Sequence, residues 1–186
     1  MQNKELQQRI QPIKMLICDI DGVLTDGTVY LGPDNFELKR FSIIDGAGFF
    51  LAKAGGLKTA LISGRYSSAT ETRFKELPID QLYNGVVNKL EPYAEIKTKF
   101  NLTDAEIAYI GDDLIDISIL EQVGLPIAVQ NAYAPVKERA IYVTEKNGGE
   151  GAVREVIDLI LTNQGKYELA LNNLKSDRFG GEIEQE

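Results

Sequence analysis

Asp19-Ile20-Asp21-Gly22-Val23-Leu24-Thr25-Asp26-Gly27 stands directly behind the apolar run Met15-Leu16-Ile17-Cys18. A short apolar run bounded by turn residues reads as a buried strand, here residues 13–19. Two carboxylates two residues apart at a strand's end can face one site once the chain turns out of the sheet, and Gly22 permits that sharp exit. One can attack phosphorus while the other handles the leaving group's proton. The same junction recurs downstream, where a strand over 107–110 runs into Gly111-Asp112-Asp113-Leu114-Ile115-Asp116. Three acids in five residues repel one another unless a cation sits among them, and magnesium suits such a carboxylate set. The competing reading of Asp116 is an acid in a first helical turn, favoured there by capping and the helix dipole.

Between and around these junctions strands alternate with helices. Residues 28–31 and 36–43 flank the turn cluster Gly32-Pro33-Asp34-Asn35 and read as a hairpin. Asp45 is the expected cap of a helix to about 54, ended by Gly55-Gly56, and a strand follows over 57–62. Ser68 and Glu71 have capping-box spacing and open a helix that stops before Pro78. Asn88 and Glu91 open another over 89–100. A helix over 114–123, strands over 126–129 and 141–144, and an amphipathic helix over 150–161 complete the pattern. Thr103 and Glu106 share the capping-box spacing, but an apolar strand follows them and the match is set aside as chance. The alternation predicts an α/β fold, a doubly wound and mostly parallel Rossmann-like sheet with ligands at the strand ends. The expected organisation is an N-terminal extension over 1–12, a domain over 13–163 with the hairpin inserted at 28–43, and a mobile polar tail over 164–186.

Composition narrows the chemistry. The 186 residues contain no histidine, which removes Ser-His-Asp hydrolysis, Cys-His proteolysis and histidine-bound zinc together. Hydrolysis must then be run by carboxylates, lysine, hydroxyls and an oxygen-bound metal. A net charge of -8 argues against a nucleic-acid partner. The lone Cys18 cannot form an internal bridge and lies in an apolar run, which points to a reducing cytoplasm and a buried thiol. The polar start has no secretory apolar run, and no stretch approaches the ~20 apolar residues of a membrane span.

Two further residues lie between the acid clusters. Ser63, in Leu61-Ile62-Ser63-Gly64-Arg65, ends a strand and can offer a hydroxyl and an N–H to phosphate, while Lys89 at a helix start can neutralise the transferring group. The order Asp-x-Asp, Ser, Lys, Asp-Asp resembles the four motifs of the haloacid dehalogenase phosphatase superfamily. The run 148–166, GGEGAVREVIDLILTNQGK, narrows the resemblance to its sugar-acid phosphatases, over residues 13–166.

That resemblance implies a magnesium-dependent phosphatase without a large cap domain. Asp19 would be the nucleophile and Asp21 the acid/base, with its carbonyl on the metal. Asp112 would be a metal ligand, and Asp113 and Asp116 supporting acids. Ser63 and Gly64 would bind phosphate, Lys89 would neutralise charge and Asn88 would stand beside it. The implied substrate is a small phosphorylated sugar acid, 3-deoxy-D-manno-octulosonate (KDO) 8-phosphate, in lipopolysaccharide precursor synthesis. Arg65 and Arg73 are the candidate partners of its carboxylate. Relatives that prefer nine-carbon KDN 9-phosphate tend to carry Glu at the Arg65 position, so arginine favours the eight-carbon acid. Gly85-Val86-Val87 departs from the Gly-Gln-Ser common before the Asn-Lys pair. The resemblance also implies a homotetramer joined through the hairpin, with the tail able to reach a neighbour's site. The rival from another class, a receiver-like phospho-acceptor, needs its reactive Asp on a later strand of the chain.

Overall fold

The computed structural model describes residues 2–179. Its centre is a six-stranded sheet of β1 (Met15–Cys18), β4 (Lys58–Ser63), β5 (Gln81–Asn84), β6 (Ile107–Gly111), β7 (Leu125–Ala128) and β8 (Tyr142–Val143). All neighbours are parallel, in the order β5-β4-β1-β6-β7-β8. The antiparallel pair β2 (Tyr30–Leu31) and β3 (Glu37–Leu38) forms the inserted hairpin. The alternating strand and helix pattern thus yields the doubly wound sheet it predicts, with no large cap among the described residues. β1, β4, β6 and β7 are apolar because helices cover both faces, as parallel sheets require.

Chain order places the site. From β1 the chain builds outward through β4 and β5, then returns to β6 on the other side of β1. The sheet therefore reverses direction between β1 and β6, the position where open α/β sheets bind ligands. Cys18 pairs with Ile110, so Asp19 and the Gly111-Asp112 turn leave the same edge side by side.

Helix α2 (Ile43–Ala54) packs on α7 (Ala152–Asn163). Its cap is Ser42, whose Oγ accepts from Asp45 N at 3.3 Å. The expected cap, Asp45, lies inside the first turn because the helix begins two residues earlier. Its buried carboxylate crosses to the start of α7, accepting from Gly151 N (3.2 Å) and Arg154 N (2.9 Å). Burial raises its pKa, opposed by those N–H groups. The next cap is Ser67, not Ser68: its Oγ accepts from Thr70 N ahead of α3 (Ser68–Glu76). α4 (Leu90–Phe100) begins just after Lys89. Thr103 and Glu106, set aside above, do form a capping box around a single 3-10 turn before β6, with Thr103 N on Glu106 Oε2 at 2.8 Å.

Where one helix was expected over 114–123, a 3-10 turn (Leu114–Asp116) leads into a short α5 (Ile117–Leu120). β5, α6 (Ala134–Lys137) and the terminal helices lacked a clear apolar pattern. α1 (Gln2–Ile10) is polar apart from Leu6 and Ile10, which meet the core. The expected tail is helical over α8 (Tyr167–Phe179), with Ala170 buried and Asn173 Nδ2 donating to Ala54 O at 2.9 Å. Gln164 Nε2 ties the two ends together through Ile10 O and Ile13 O. Of the tail expected over 164–186 to reach a neighbouring site, the part up to Phe179 packs as α8 on its own chain, and residues 180–186 lie outside the described residues.

Asp45→Ala removes the acceptor of two N–H groups at the buried start of α7. A loss of about 1–3 kcal/mol is predicted, typical of an unsatisfied donor, read from the urea midpoint. An unchanged midpoint would show that the α2–α7 seam does not depend on this carboxylate.

Candidate active site

Asp19 leaves β1 with its N–H on Ile110 O (3.0 Å) and its carboxylate almost wholly buried. Lys89, from the start of α4, reaches it beneath the strand ends: Nζ lies 2.8 Å from Asp19 Oδ1 and 2.7 Å from Asp116 Oδ1. Burial works against the charge on Lys89, but Asp19 and Asp116 outweigh it and its pKa is raised. Asp116 is saturated. Its Oδ1 accepts from Lys89 and from the Tyr109 hydroxyl (2.6 Å), its Oδ2 from Asp112 N (2.9 Å) and Asp113 N (3.2 Å). It therefore works as an anchor for the lysine and the β6 turn.

Carboxylate oxygens of Asp19, Asp112 and Asp116 lie within 4.8 Å of one another. Burial pushes the Asp112 carboxyl up to about 8, helped by the charges of Asp19 and Asp116. Burial likewise raises Asp19 to about 6 against the pull of Lys89, with Asp116 adding to the rise. One lysine thus falls short of neutralising three crowded acids, two of them buried and Asp112 partly so. Asp112 Oδ1 is buried with no hydrogen-bond partner, whereas the oxygens of Asp116 are all engaged. A divalent cation fits this donor set, with Asp19 and Asp112 as the available side-chain ligands.

Two glycines make the approach possible. Gly22 has φ +94°, and a Cβ there would stand 2.0 Å from Asp112 Oδ2. A Cβ on Gly148 would meet Gly22 O at 1.7 Å, and Gly149 N donates to Val23 O at 2.9 Å. The glycine-rich run before α7 thereby clamps the loop that follows β1.

These groups open onto a cleft of about 450 Å³ lined by Asp19, Asp21, Ser63, Arg65, Asp112 and Asp113, among others. Gly64 also borders it. Ser63 is buried at the end of β4, its Oγ donating to Arg65 O at 2.8 Å. Asp113 holds the 3-10 turn, accepting from Leu114 N at 2.7 Å.

Two candidates stand apart. Arg73 does not line the cleft of its own chain: the phase of α3 turns it under α2, with Nη1 2.7 Å from Glu76 Oε2 and Nη2 3.4 Å from Ser42 O. Asn88 is exposed and donates through Nδ2 to Glu91 Oε1 at 2.9 Å, one residue ahead of the N-cap Lys89, while Val87 borders the cleft instead.

Three residues at the site were not singled out from sequence. Tyr109 sits in a fully apolar strand and reads as core. Glu37 and Lys39 belong to the hairpin and read as solvated charges. Glu37 holds Arg65 in a short ion pair and accepts from Ser67 Oγ at 2.7 Å. The Arg65 hydrogen bond is the main reason its carboxyl falls to about 2.

The sequence and the fold are shared with known proteins. Residues 78–157 match the family described as haloacid dehalogenase-like hydrolase. The chain is 42% identical over 166 residues to the 3-deoxy-D-manno-octulosonate 8-phosphate phosphatase KdsC of Escherichia coli (strain B / BL21-DE3), covering 89% of this chain and 88% of that one. A putative HAD superfamily (subfamily III A) hydrolase from Legionella pneumophila superposes with a TM-score of 0.90 at 44% identity, over 92% and 94% of the two chains. The 3-deoxy-D-manno-octulosonate 8-phosphate phosphatase of Moraxella catarrhalis, solved with magnesium, phosphate and KDO, gives 0.87 at 35% identity, over 91% and 97%. With identity and coverage of this order, the chain belongs to the 3-deoxy-D-manno-octulosonate 8-phosphate phosphatase family of haloacid dehalogenase-like hydrolases.

Proposed function

We propose that the chain hydrolyses KDO 8-phosphate to KDO and inorganic phosphate through a phosphoester on Asp19. The observation that carries this reading is the meeting of Asp19, Asp112 and Lys89 at the β1/β6 reversal, with one buried Asp112 oxygen left unpartnered. The names of the relatives supply the substrate, and the cleft-lining guanidinium of Arg65 is a suitable partner for its carboxylate.

Asp19, Asp112 and the main-chain carbonyl of Asp21 would hold Mg2+, which when bound supplies positive charge against the phosphoryl oxygens. Asp19, kept in place by Lys89, attacks phosphorus in line. Lys89 stabilises the negative charge that builds up as the P–O bond to the sugar breaks. Ser63 and the Gly64 backbone hold the transferring group. Asp21 gives its proton to the departing sugar oxygen, then takes one from the water that hydrolyses the aspartyl phosphate.

The hairpin bears the proposed tetramer interface. Tyr30 faces Leu38 across it, and Leu31, Phe36 and the neighbouring Ile43 and Ile44 are also exposed, an apolar surface that self-association would cover. The cytoplasm is the compartment we assign, in keeping with a single buried, unbridged Cys18. Among the described residues no helix is long and apolar enough to cross a membrane.

Asp19→Asn is predicted to lose at least ~100-fold in phosphate release, the low end of what a reacting group contributes; near-normal turnover would remove Asp19 as nucleophile. In a screen of KDO 8-phosphate, KDN 9-phosphate and simple sugar phosphates, the eight-carbon acid should turn over fastest, and a faster nine-carbon substrate would overturn the substrate assignment. Chelation should abolish activity and added Mg2+ restore it. Metal binding requires ionised carboxylates, and those of Asp19 and Asp112 are raised to about 6 and 8. The Mg2+ concentration for half-activation should therefore rise as pH falls from about 8 to about 6; a pH-independent value would contradict the assigned ligands. Light scattering should report the mass of four chains, and Leu31→Glu with Phe36→Glu should shift it towards one.

A further inference from the structure

The hairpin brings to the cleft a cation that the four motifs do not contain. Lys39, directly after β3, has a wholly buried side chain whose Nζ lies 2.6 Å from Asp21 Oδ1 and 3.9 Å from Glu37 Oε1. Its ammonium makes no directed hydrogen bond, and the other oxygen of Asp21, Oδ2, is buried without a partner. A buried ammonium is costly unless acceptors and an opposite charge face it, and here Asp21 Oδ1 and the Glu37 carboxylate do so.

Glu37 is fixed in turn by Arg65 and by Ser67 Oγ. Ser67 is locked to β5, accepting at its carbonyl from Asn84 Nδ2 (2.8 Å) and donating its N–H to Asn84 Oδ1 (3.1 Å). A row of alternating acidic and basic side chains, Asp21–Lys39–Glu37–Arg65, thus spans the cleft from the end of β1 to the end of β4. On the far side of Lys39 the strap is anchored again, by the Thr25–Phe41 bridge and by Arg40 on Asp26 at 3.1 Å. With both flanks held, the lysine has little freedom to leave Asp21.

We propose that Lys39 is a positioning residue for proton delivery by Asp21, an inference that rests on the phosphatase reading above. It holds Oδ1 in place and so fixes the orientation of the carboxyl that serves the sugar oxygen. In that step the P–O bond to the sugar breaks as the bond from Asp19 to phosphorus forms, and the proton of Asp21 passes to the sugar oxygen. Lys39 touches no reacting atom and acts through the orientation of this one carboxyl.

The test compares two leaving groups. A sugar alkoxide needs the proton, whereas nitrophenolate departs without it. First-turnover rates, which isolate phosphoryl transfer to Asp19, are measured at saturating Mg2+ with KDO 8-phosphate and with p-nitrophenyl phosphate. Lys39→Met should slow the sugar phosphate about 10–100-fold, a fraction of the roughly 10²–10⁴ from a positioned acid–base group, and leave the aryl phosphate within about threefold. Lys39→Arg should recover most of the loss. In an Asp21→Asn background Lys39→Met should cost nothing further, because both changes remove one function. Equal losses on both substrates, additive losses in the double variant, or no loss on the sugar phosphate would each overturn the role of Lys39 while leaving the phosphatase reading intact. Wild-type protein without Mg2+-dependent turnover of either substrate would overturn both.

Discussion

Three carboxylates crowded beside one buried lysine set the terms for the rest of this molecule. Asp19, Asp112 and Asp116 crowd within one ligand shell, and Lys89 bridges two of them from below. Asp116 is neutralised by four donors, so the residual negative charge falls on Asp19 and Asp112 at the cleft floor. Burial makes that charge costly, and the raised pKa values of both carboxyls express the cost. A divalent cation would offset it, and in the proposed reaction Asp19 would meet the phosphoryl group beside that cation.

The fold keeps these groups together by backbone means. Parallel pairing of β1 with β6 sends both acidic turns out of one edge, and no side chain has to reach across the sheet. Close packing of the loops then depends on missing side chains, at Gly22 against Asp112 and at Gly148 against Gly22. Asp45 closes the outer layer by joining α2 to the start of α7, which holds the glycine run in place. Packing far from the chemistry in sequence therefore sets the geometry of the cleft floor.

Much of this was legible in the chain because the residues proposed for the chemistry sit at ends of elements. Asp19, Asp112, Ser63 and Lys89 each follow an apolar run or open a helix, and such junctions show in sequence as a change of periodicity. The hairpin was legible from its turn residues, but the destination of its charges was not: Lys39 and Glu37 meet Asp21 and Arg65 only after the strap folds back over the cleft. Tyr109 was hidden by its apolar neighbours. For Arg73, a helix position without its phase gave the wrong direction, since α3 turns it under α2. The terminal helices were missed because one or two buried residues each, such as Ile10 and Ala170, carry too little apolar pattern to mark a helix.

The seat of the cation is the most exposed point of this mechanism. Crystals grown with Mn2+ in place of Mg2+ and measured at the manganese absorption edge would locate it directly. One anomalous peak is predicted, in contact with the carboxylates of Asp19 and Asp112 and not with that of Asp116. A peak elsewhere, or none beside well-ordered Asp19 and Asp112 side chains at neutral pH, would contradict the convergence of these acids on one metal.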